Sequence, residues 1–179
     1  TEMIGKIAVR DFGPRGGPLA VKAWQAWSDA FRDYVPTNED QYGPFRVGPS
    51  YPLLFLAKGE PLPSAPHAHF GNEIVRIEYR SHRPEDLETE IRLLERMEDR
   101  WQEGISWLTQ AVDLTPERKR SEALRMLNLG RFIRTCVRTT IHVKRWLRLK
   151  GHLQAETDPG RANAILDDMV GLAEDEIAN

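Results

Sequence analysis

Residues 84–113, with the sequence PEDLETEIRLLERMEDRWQEGISWLTQAVD, decide the fold class of this 179-residue chain. Their apolar residues recur at spacings of three, four and seven, the pattern of a helix that buries one stripe against a neighbour. The apolar positions are Leu87, Ile91, Leu94, Trp101, Ile105, Leu108 and Val112, with Met97 beside the one miss in the pattern, Glu98. Pro84 suits the first turn of a helix, and Glu85 suits its positive N-terminal end. The spacing therefore predicts a long helix that begins near Pro84.

Two further helix starts follow this segment. Thr115-Pro116-Glu117 combines a residue typical of an N-cap with a proline suited to the first helical position, and Asp158-Pro159 does the same. The helix between them has weak points at Gly130 and Gly151, and we expect Gly151 to end or kink it. These signals predict a mainly α fold, in which residues 84–179 form an antiparallel bundle of three long helices.

The second of these helices has two adjacent apolar stripes, so we expect it to pack against two neighbours. One stripe is Leu129, Phe132, Cys136, Thr139, Val143, Trp146 and Leu153, and the other is Met126, Ile133, Val137, Thr140 and Leu147. The apolar face of the third helix is Ala162, Ile165, Leu166, Met169, Leu172, Ala173 and Ile177.

Charge also separates the three helices. Residues 84–113 carry a net charge of −6, residues 117–152 carry +9 and residues 156–179 carry −6. A basic stripe runs along the middle helix through Arg131, Arg134, Arg138, His142 and Arg145. It has two interpretations: a face that binds RNA or phosphate, or a surface that pairs with the two acidic helices. The matching acidic segments favour the second.

The N-terminal part, residues 1–83, holds most of the prolines and glycines and is predicted to be loop-rich with two short helices. The first helix uses Met3, Ile4, Ile7, Ala8 and Phe12, and the second, from Pro18 to Tyr34, uses Val21, Trp24, Trp27, Ala30 and Phe31. The segment Gly13-Pro14-Arg15-Gly16-Gly17-Pro18 is interpreted as the turn between them. Residues 35–70 show no helical period, and such long irregular stretches are usually functional or cover a partner.

Composition excludes several classes of protein. A net charge of −2 argues against a generally basic nucleic-acid binder, so nucleic acid is not an expected partner. The sequence contains neither an apolar run of the ~20 residues that span a bilayer nor a signal-peptide pattern, so we expect a soluble chain that does not bind membranes. The single cysteine, Cys136, excludes an internal disulfide and a multi-cysteine zinc site. No cofactor motif is present, and the cellular location and a homo-oligomeric state stay open.

The densest group of polar and aromatic residues lies in the loop 38–46. Sugar sites need such a mixture, because aromatic faces stack on pyranose rings while carboxylates and amides bind hydroxyl groups. The candidate substrate-binding residues of this loop are Glu39, Asp40, Gln41, Tyr42 and Arg46. A solvated turn with an aromatic plug is the alternative. Adjacent carboxylates cannot form a glycosidase acid/base pair, which is ~5–10 Å apart across the scissile bond.

His67-Ala68-His69 places two imidazoles on one side of an extended segment. Such a pair can ligate a metal, but no third ligand stands out by its spacing. We therefore expect no metal site, and interpret His67 and His69 as buried or substrate-facing residues.

Three stretches resemble a known group of enzymes: Val9–Gly13, Ala23–Phe31 and Gln41–Pro49 are similar to the region at the end of the catalytic barrel in large bacterial glycoside-hydrolase-like proteins. In such proteins a helical domain often follows the barrel, and residues 84–179 resemble it. The resemblance implies a C-terminal part that is not catalytic on its own, whose catalytic residues lie elsewhere. It also implies that the 38–46 loop faces a sugar, with carbohydrate or the rest of the parent protein as partner.

The two ends of the chain fit this interpretation. The first residue is Thr1 rather than Met, and Met169 to Asn179 keep a helical pattern without a Gly or Pro stop, which favours a piece of a larger protein. Two other functions remain open: a stand-alone helical module that binds a protein partner, and an RNA-associated helical domain that uses the arginine stripe.

Overall fold

The computed structural model describes residues 2–34, Leu53, Phe55 and 84–179. Four helices account for most of them: α1 (Glu2–Ala30, followed by a 3-10 turn, Phe31–Asp33), α2 (Pro84–Asp113), α3 (Glu117–Ala155) and α4 (Pro159–Ala178). The described residues include no strand. None of the helices in this part of the chain has the length and apolar character needed to cross a membrane. The predicted mainly α fold, with three long helices after residue 84, is confirmed.

The α2 stripe is buried as its spacing predicted. All seven of its apolar positions are at most 6% exposed. Met97 is fully buried and supplies the apolar side chain that the pattern lacks at Glu98. One stripe with a period of 3.5 keeps the same side of the helix turned inward along its whole length. Burial of each large side chain is worth roughly 1.5–3 kcal/mol before the entropy of ordering is subtracted.

The two predicted helix starts differ in their caps. Asp158 caps α4 as expected, because its carboxylate accepts a hydrogen bond of 2.8 Å from the backbone N–H of Arg161. The hydroxyl of Thr115 instead donates to the carbonyl of Ala111 at 2.7 Å. The buried Thr115 side chain therefore stabilises the C-terminal end of α2, because the last carbonyls of a helix lack partners within it.

Helix α1 consists of two helical segments that meet at Gly13. This glycine has φ 76° and ψ 172°, a backbone conformation that residues other than glycine rarely adopt. Pro14 follows it at the start of the second segment, where no backbone N–H is needed. The expected turn over residues 13–18 is wrong in extent: only Gly13 leaves the helix, and Gly16 and Gly17 are buried helical residues.

The described chain forms two compact units. The first, unit 1, contains α1 and the residues Leu94–Arg134. Its α1 and α2 segments are antiparallel, since Lys22, Trp27 and Asp33 meet Trp107, Trp101 and Arg96 respectively.

A tryptophan pair forms the centre of unit 1. The rings of Trp27 and Trp101 stack with centroids 5.0 Å apart and planes within 12°. The Trp27 Nε1–H donates to the carbonyl of Trp101 at 3.1 Å, and the Trp101 Nε1–H donates to the carbonyl of Gly130 at 2.8 Å. Gly104 and Gly130 face the Trp27 indole so closely that an added Cβ would lie 2.3 and 2.5 Å from it. The absence of side chains on these two glycines makes room for the Trp27 ring.

The second unit, unit 2, contains Leu53, Phe55, the first turns of α2, residues Thr135–Asn179 and therefore α4. Ion pairs of Arg148 with Glu88 and of Lys144 with Glu90 place α2 and α3 antiparallel within it. Every residue from 139 to 144 is buried, so the whole circumference of α3 is covered here. Its apolar cluster is Trp146, Met169 and Leu172, with Leu53, Leu149, Leu153, Ile165 and Ala173 packed around it.

Several side chains predicted to be buried are exposed. On α3, Leu129 and Phe132 are 57% and 52% exposed, because Ala123, Leu127 and Gly130 form the covered face of that segment instead. On α4, Ile177 is 87% exposed, because the covered face runs through Met169 and Leu172. Gly151 neither ends nor kinks the helix, which continues to Ala155.

The predicted division into residues 1–83 and 84–179 stays a prediction. Helix α2 does begin at Pro84. Each compact unit combines segments that are distant in sequence, but most of residues 35–83 lie outside the described part of the chain.

Candidate functional site

The site residues predicted from the sequence lie outside the described part of the chain, and their roles stay predictions. These residues are Glu39, Asp40, Gln41, Tyr42, Arg46, His67 and His69. A different group of polar and aromatic side chains comes together within unit 1.

This group lines a cleft of about 520 Å³ between α1 and α2, here named the α1–α2 cleft. Its lining residues are Lys22, Gln25, Ala26, Asp29 and Arg32 from α1 and the turn after it, and Arg100, Glu103 and Trp107 from α2. The volume falls in the ~300–1,000 Å³ range of small-molecule sites.

Helical periodicity brings these residues together. Lys22, Gln25, Asp29 and Arg32 are spaced three, four and three apart, which places them on one side of the helix. The opposite side carries Ala23 and Ala30, which are fully buried. Because α1 and α2 are antiparallel, the cleft has Lys22 and Trp107 at one end and Asp29 and Arg100 at the other. Seven residues of helix separate Lys22 from Asp29, roughly 10 Å.

The indole of Trp107 forms the aromatic end of the cleft. Its Nε1–H donates to Glu103 Oε1 at 3.2 Å, which fixes the orientation of the ring. The Lys22 ammonium lies over the ring with Nζ 4.4 Å from a ring centroid, a cation–π contact. Trp107 itself is half-buried, so part of the indole surface stays accessible to solvent.

Asp29 organises the other end of the cleft. Its carboxylate accepts a hydrogen bond from Gln25 Nε2 at 3.1 Å and pairs with Arg32 Nη2 at 3.2 Å. Its backbone carbonyl accepts from Arg100 Nη1 at 3.2 Å. Arg100 also pairs with the buried Asp33 at 2.9 Å, and this second contact holds the guanidinium in place.

The cleft thus combines a flat aromatic surface with fixed donors and acceptors. Lys22, Arg32 and Arg100 contribute three positive charges, and Asp29 and Glu103 contribute two negative ones. The two arginines pair with carboxylates. Lys22 differs, because its contact is with the Trp107 ring and no carboxylate in the described part of the chain pairs with it.

The basic stripe of α3 meets acidic residues. Arg134 pairs with Glu98 at 3.1 Å in unit 1, and His142 Nδ1 lies 2.6 Å from Glu176 Oε2 in unit 2. Thr139 donates to the other oxygen of Glu176 at 2.7 Å, so this half-buried carboxylate is held by two side chains of α3. These contacts agree with the interpretation that the stripe packs against the acidic helices.

The pKa values of Glu88 and Cys136 are shifted by evident causes. The hydrogen bond from Arg148 lowers the pKa of Glu88 below its ordinary value. Burial raises the pKa of the Cys136 thiol, which disfavours the reactive thiolate form. In the described ranges, no three or more His, Cys, Asp or Glu side chains are arranged to hold a metal ion.

Comparison with known proteins adds no relative: no family model, no curated protein and no solved structure matches this chain. The candidate site therefore rests on its own geometry.

The sequence contained a signal for the α1–α2 cleft that apolar periodicity does not detect. The polar residues Lys22, Gln25, Asp29 and Arg32 repeat with helical spacing on the side of α1 opposite its small buried residues. Trp107, in turn, falls outside the apolar stripe of α2. A large aromatic off the core stripe and a periodic polar stripe on another helix together indicate a site.

Proposed function

We propose that this chain is the helical, non-catalytic portion of a carbohydrate-active, glycoside-hydrolase-like protein, and that the α1–α2 cleft binds sugar. The observation that carries the proposal is the position of the Trp107 indole at one end of a cleft lined by an amide, two carboxylates and guanidinium groups. The resemblance of the short N-terminal stretches to glycoside-hydrolase-like proteins supports the same class of ligand.

The chemistry of the cleft suits a hydroxylated ring. The apolar face of a pyranose packs on the accessible part of an indole, in the way that other amphipathic surfaces do. Asp29 and Glu103 offer acceptors for hydroxyl donors, while Arg32 and Gln25 offer donors for hydroxyl oxygens. Each of these four side chains already contacts a neighbour, which reduces the conformational entropy lost when a ligand binds.

We assign binding rather than catalysis to this cleft. Asp29 and Glu103 hold Gln25, Arg32 and Trp107 in place. Glycoside hydrolysis requires one carboxyl group as acid and another as base or nucleophile on either side of the scissile bond. Organisation of the neighbouring side chains is the role that these contacts support, and the 179-residue chain should not cleave aryl-glycosides.

The test is calorimetric titration of the 179-residue chain with neutral and uronate-containing oligosaccharides. We expect Trp107→Ala to weaken binding at least tenfold, because the ligand loses its stacking surface, a change of about 1.4 kcal/mol. Phe132→Ala is the matched control, since Phe132 is an exposed aromatic of unit 1 outside the cleft. Equal affinities for Trp107→Ala and the unmodified chain, or no binding of any oligosaccharide, would remove the proposal.

The predicted loop provides a second test in the parent protein. We expect Asp40→Ala and Tyr42→Ala to reduce glycosidase activity without loss of helical circular dichroism, if residues 38–46 contact the sugar. Full activity in both variants would leave the loop without a role in substrate binding.

The two alternative functions give different results. Binding of RNA through the arginine stripe would weaken steeply with salt, because counterions are released from phosphates. A module that binds a protein partner would be unaffected by Trp107→Ala unless that partner used the same cleft. Sugar binding through the cleft should depend on Trp107 and only modestly on salt.

A further inference from the structure

We propose that the ligand of the α1–α2 cleft is an acidic oligosaccharide, with a uronate carboxylate bound to Lys22 at the Trp107 end and a neutral sugar at the Asp29 end. This inference rests on the proposed sugar-binding function and names the class of sugar. It starts from the way in which the charges of the cleft are paired.

The three cations of the cleft differ in whether a carboxylate pairs with them. Arg32 pairs with the Asp29 carboxylate at 3.2 Å, and Arg100 pairs with Asp33 at 2.9 Å. The Lys22 ammonium contacts the Trp107 ring and has no carboxylate partner within the described residues. Of the three positive charges, Lys22 is therefore the one available to an anionic ligand.

The position of this charge is specific. The Lys22 ammonium lies over the indole on which a sugar ring would stack, with Nζ 4.4 Å from a ring centroid. An ammonium has three N–H donors, and a contact with a ring face leaves donors for a carboxylate. A uronate that packs on the accessible part of Trp107 would bring its carboxylate next to Lys22. The resulting hydrogen bond is charge-assisted and stronger than the bond that a neutral hydroxymethyl group makes.

The rest of the cleft disfavours a continuous polyanion. Glu103 lies beside Trp107, and about two helical turns from Lys22 the Asp29 carboxylate pairs with Arg32 while Arg100 pairs with Asp33. The charges of the middle and far end therefore offer little attraction to a phosphodiester backbone, whereas their carboxylates accept hydrogen bonds from sugar hydroxyls. The arrangement matches one anionic sugar followed by a neutral one, and it does not match RNA.

The experiment compares two disaccharides that differ in one group. Cellobiose has a hydroxymethyl group on its non-reducing sugar, and cellobiouronic acid has a carboxylate there. We expect the 179-residue chain to bind cellobiouronic acid at least tenfold more tightly in calorimetric titrations. We expect Lys22→Met to reduce this preference to less than twofold, because the cation that pairs with the carboxylate is removed. Lys22→Arg should retain the preference, because it retains the cation.

Lys6→Met is the matched control, because Lys6 is an exposed cation of α1 that pairs with Glu2 outside the cleft. It should leave both affinities unchanged. If both disaccharides bind equally and Trp107→Ala abolishes binding, the preference for acid is wrong and the sugar site remains. If neither binds, the proposed function is lost together with this inference. Tight binding of a short oligonucleotide that depends on Lys22 would also overturn the inference.

Discussion

The two halves of α3 are both basic but have different surroundings. In unit 1, residues 117–134 bury one face and expose Leu129 and Phe132. In unit 2, residues 139–144 are buried on every side, although they include His142 and Lys144. Apolar side chains therefore lie in solvent in one half, while polar side chains such as Lys144 are buried in the other. The difference shows that neighbouring elements, more than the polarity of each residue, decide burial along a long helix.

The two units also satisfy their buried polar groups differently. Unit 1 pairs indole N–H groups with backbone carbonyls around Trp27 and Trp101, and in its ion pair of Asp33 with Arg100 the guanidinium is exposed. Unit 2 buries both partners of the ion pair between Lys144 and Glu90, which are 3.2 Å apart, and places His142 Nδ1 2.6 Å from Glu176. A buried ion pair contributes little net stability, but loss of one partner leaves an uncompensated charge. We therefore expect unit 2 to be sensitive to changes of charge and unit 1 to changes of shape.

The largest expected effect separates two aromatic residues of the same predicted stripe. Trp146→Asp should lower the free energy of unfolding by more than about 4 kcal/mol, because it removes a large buried ring and buries a carboxylate. Phe132→Asp should change it by less than about 1 kcal/mol, since this ring is already half in solvent. Urea unfolding followed by circular dichroism measures both. Equal losses would show that the halves of α3 are not differently covered.

The next effect concerns the buried ion pair of unit 2. Lys144→Met should cost about 3–5 kcal/mol, because Glu90 would keep a buried charge without its ammonium partner. The double variant Glu90→Met plus Lys144→Met should recover most of this loss. A double-mutant cycle in urea gives the interaction energy. Purely additive losses would mean that the pair does not act as a unit.

The smallest effect compares two glycines within α3. Gly130→Ala should cost about 1–3 kcal/mol, because the new methyl group would lie 2.5 Å from the Trp27 ring. Gly151→Ala meets no atom within 4 Å and should stabilise the helix by up to about 1 kcal/mol. Thermal unfolding of the two single variants is sufficient. A stabilising Gly130→Ala would show that Trp27 can move away without cost.

Local chemistry explains why the helices could be predicted. A proline at a helix start and an aspartate cap act through the backbone of a few adjacent residues, so Pro84 and Asp158 indicated their helices correctly. The buried face of α2 could be predicted equally well, because a helix with a single apolar stripe can bury only that one face. Gly151 was misleading, since a glycine weakens a helix without ending it when the flanking residues favour the helix.

The remaining features depend on contacts between segments distant in sequence. The two apolar stripes of α3 do not indicate which one a neighbouring element covers. Leu129 and Phe132 belong to a stripe predicted to be buried, but both side chains are exposed. The α1–α2 cleft arises because two helices that are distant in sequence become antiparallel neighbours, as the 74-residue separation of Trp27 and Trp101 illustrates. The predicted sugar-binding residues of the 38–46 loop, such as Tyr42, lie outside the described residues.

The tryptophan pair also has a consequence for the order of folding. The hydrogen bond from Trp101 to Gly130 closes a loop of 29 residues, whereas that from Trp27 to Trp101 closes one of 74. The longer closure costs about 0.8 kcal/mol more in chain entropy when each contact forms alone. We therefore expect the hairpin of α2 and α3 within unit 1 to form first and α1 to dock onto it. In that order the contacts of the Trp27 indole form late, so its removal should accelerate unfolding more than it slows folding.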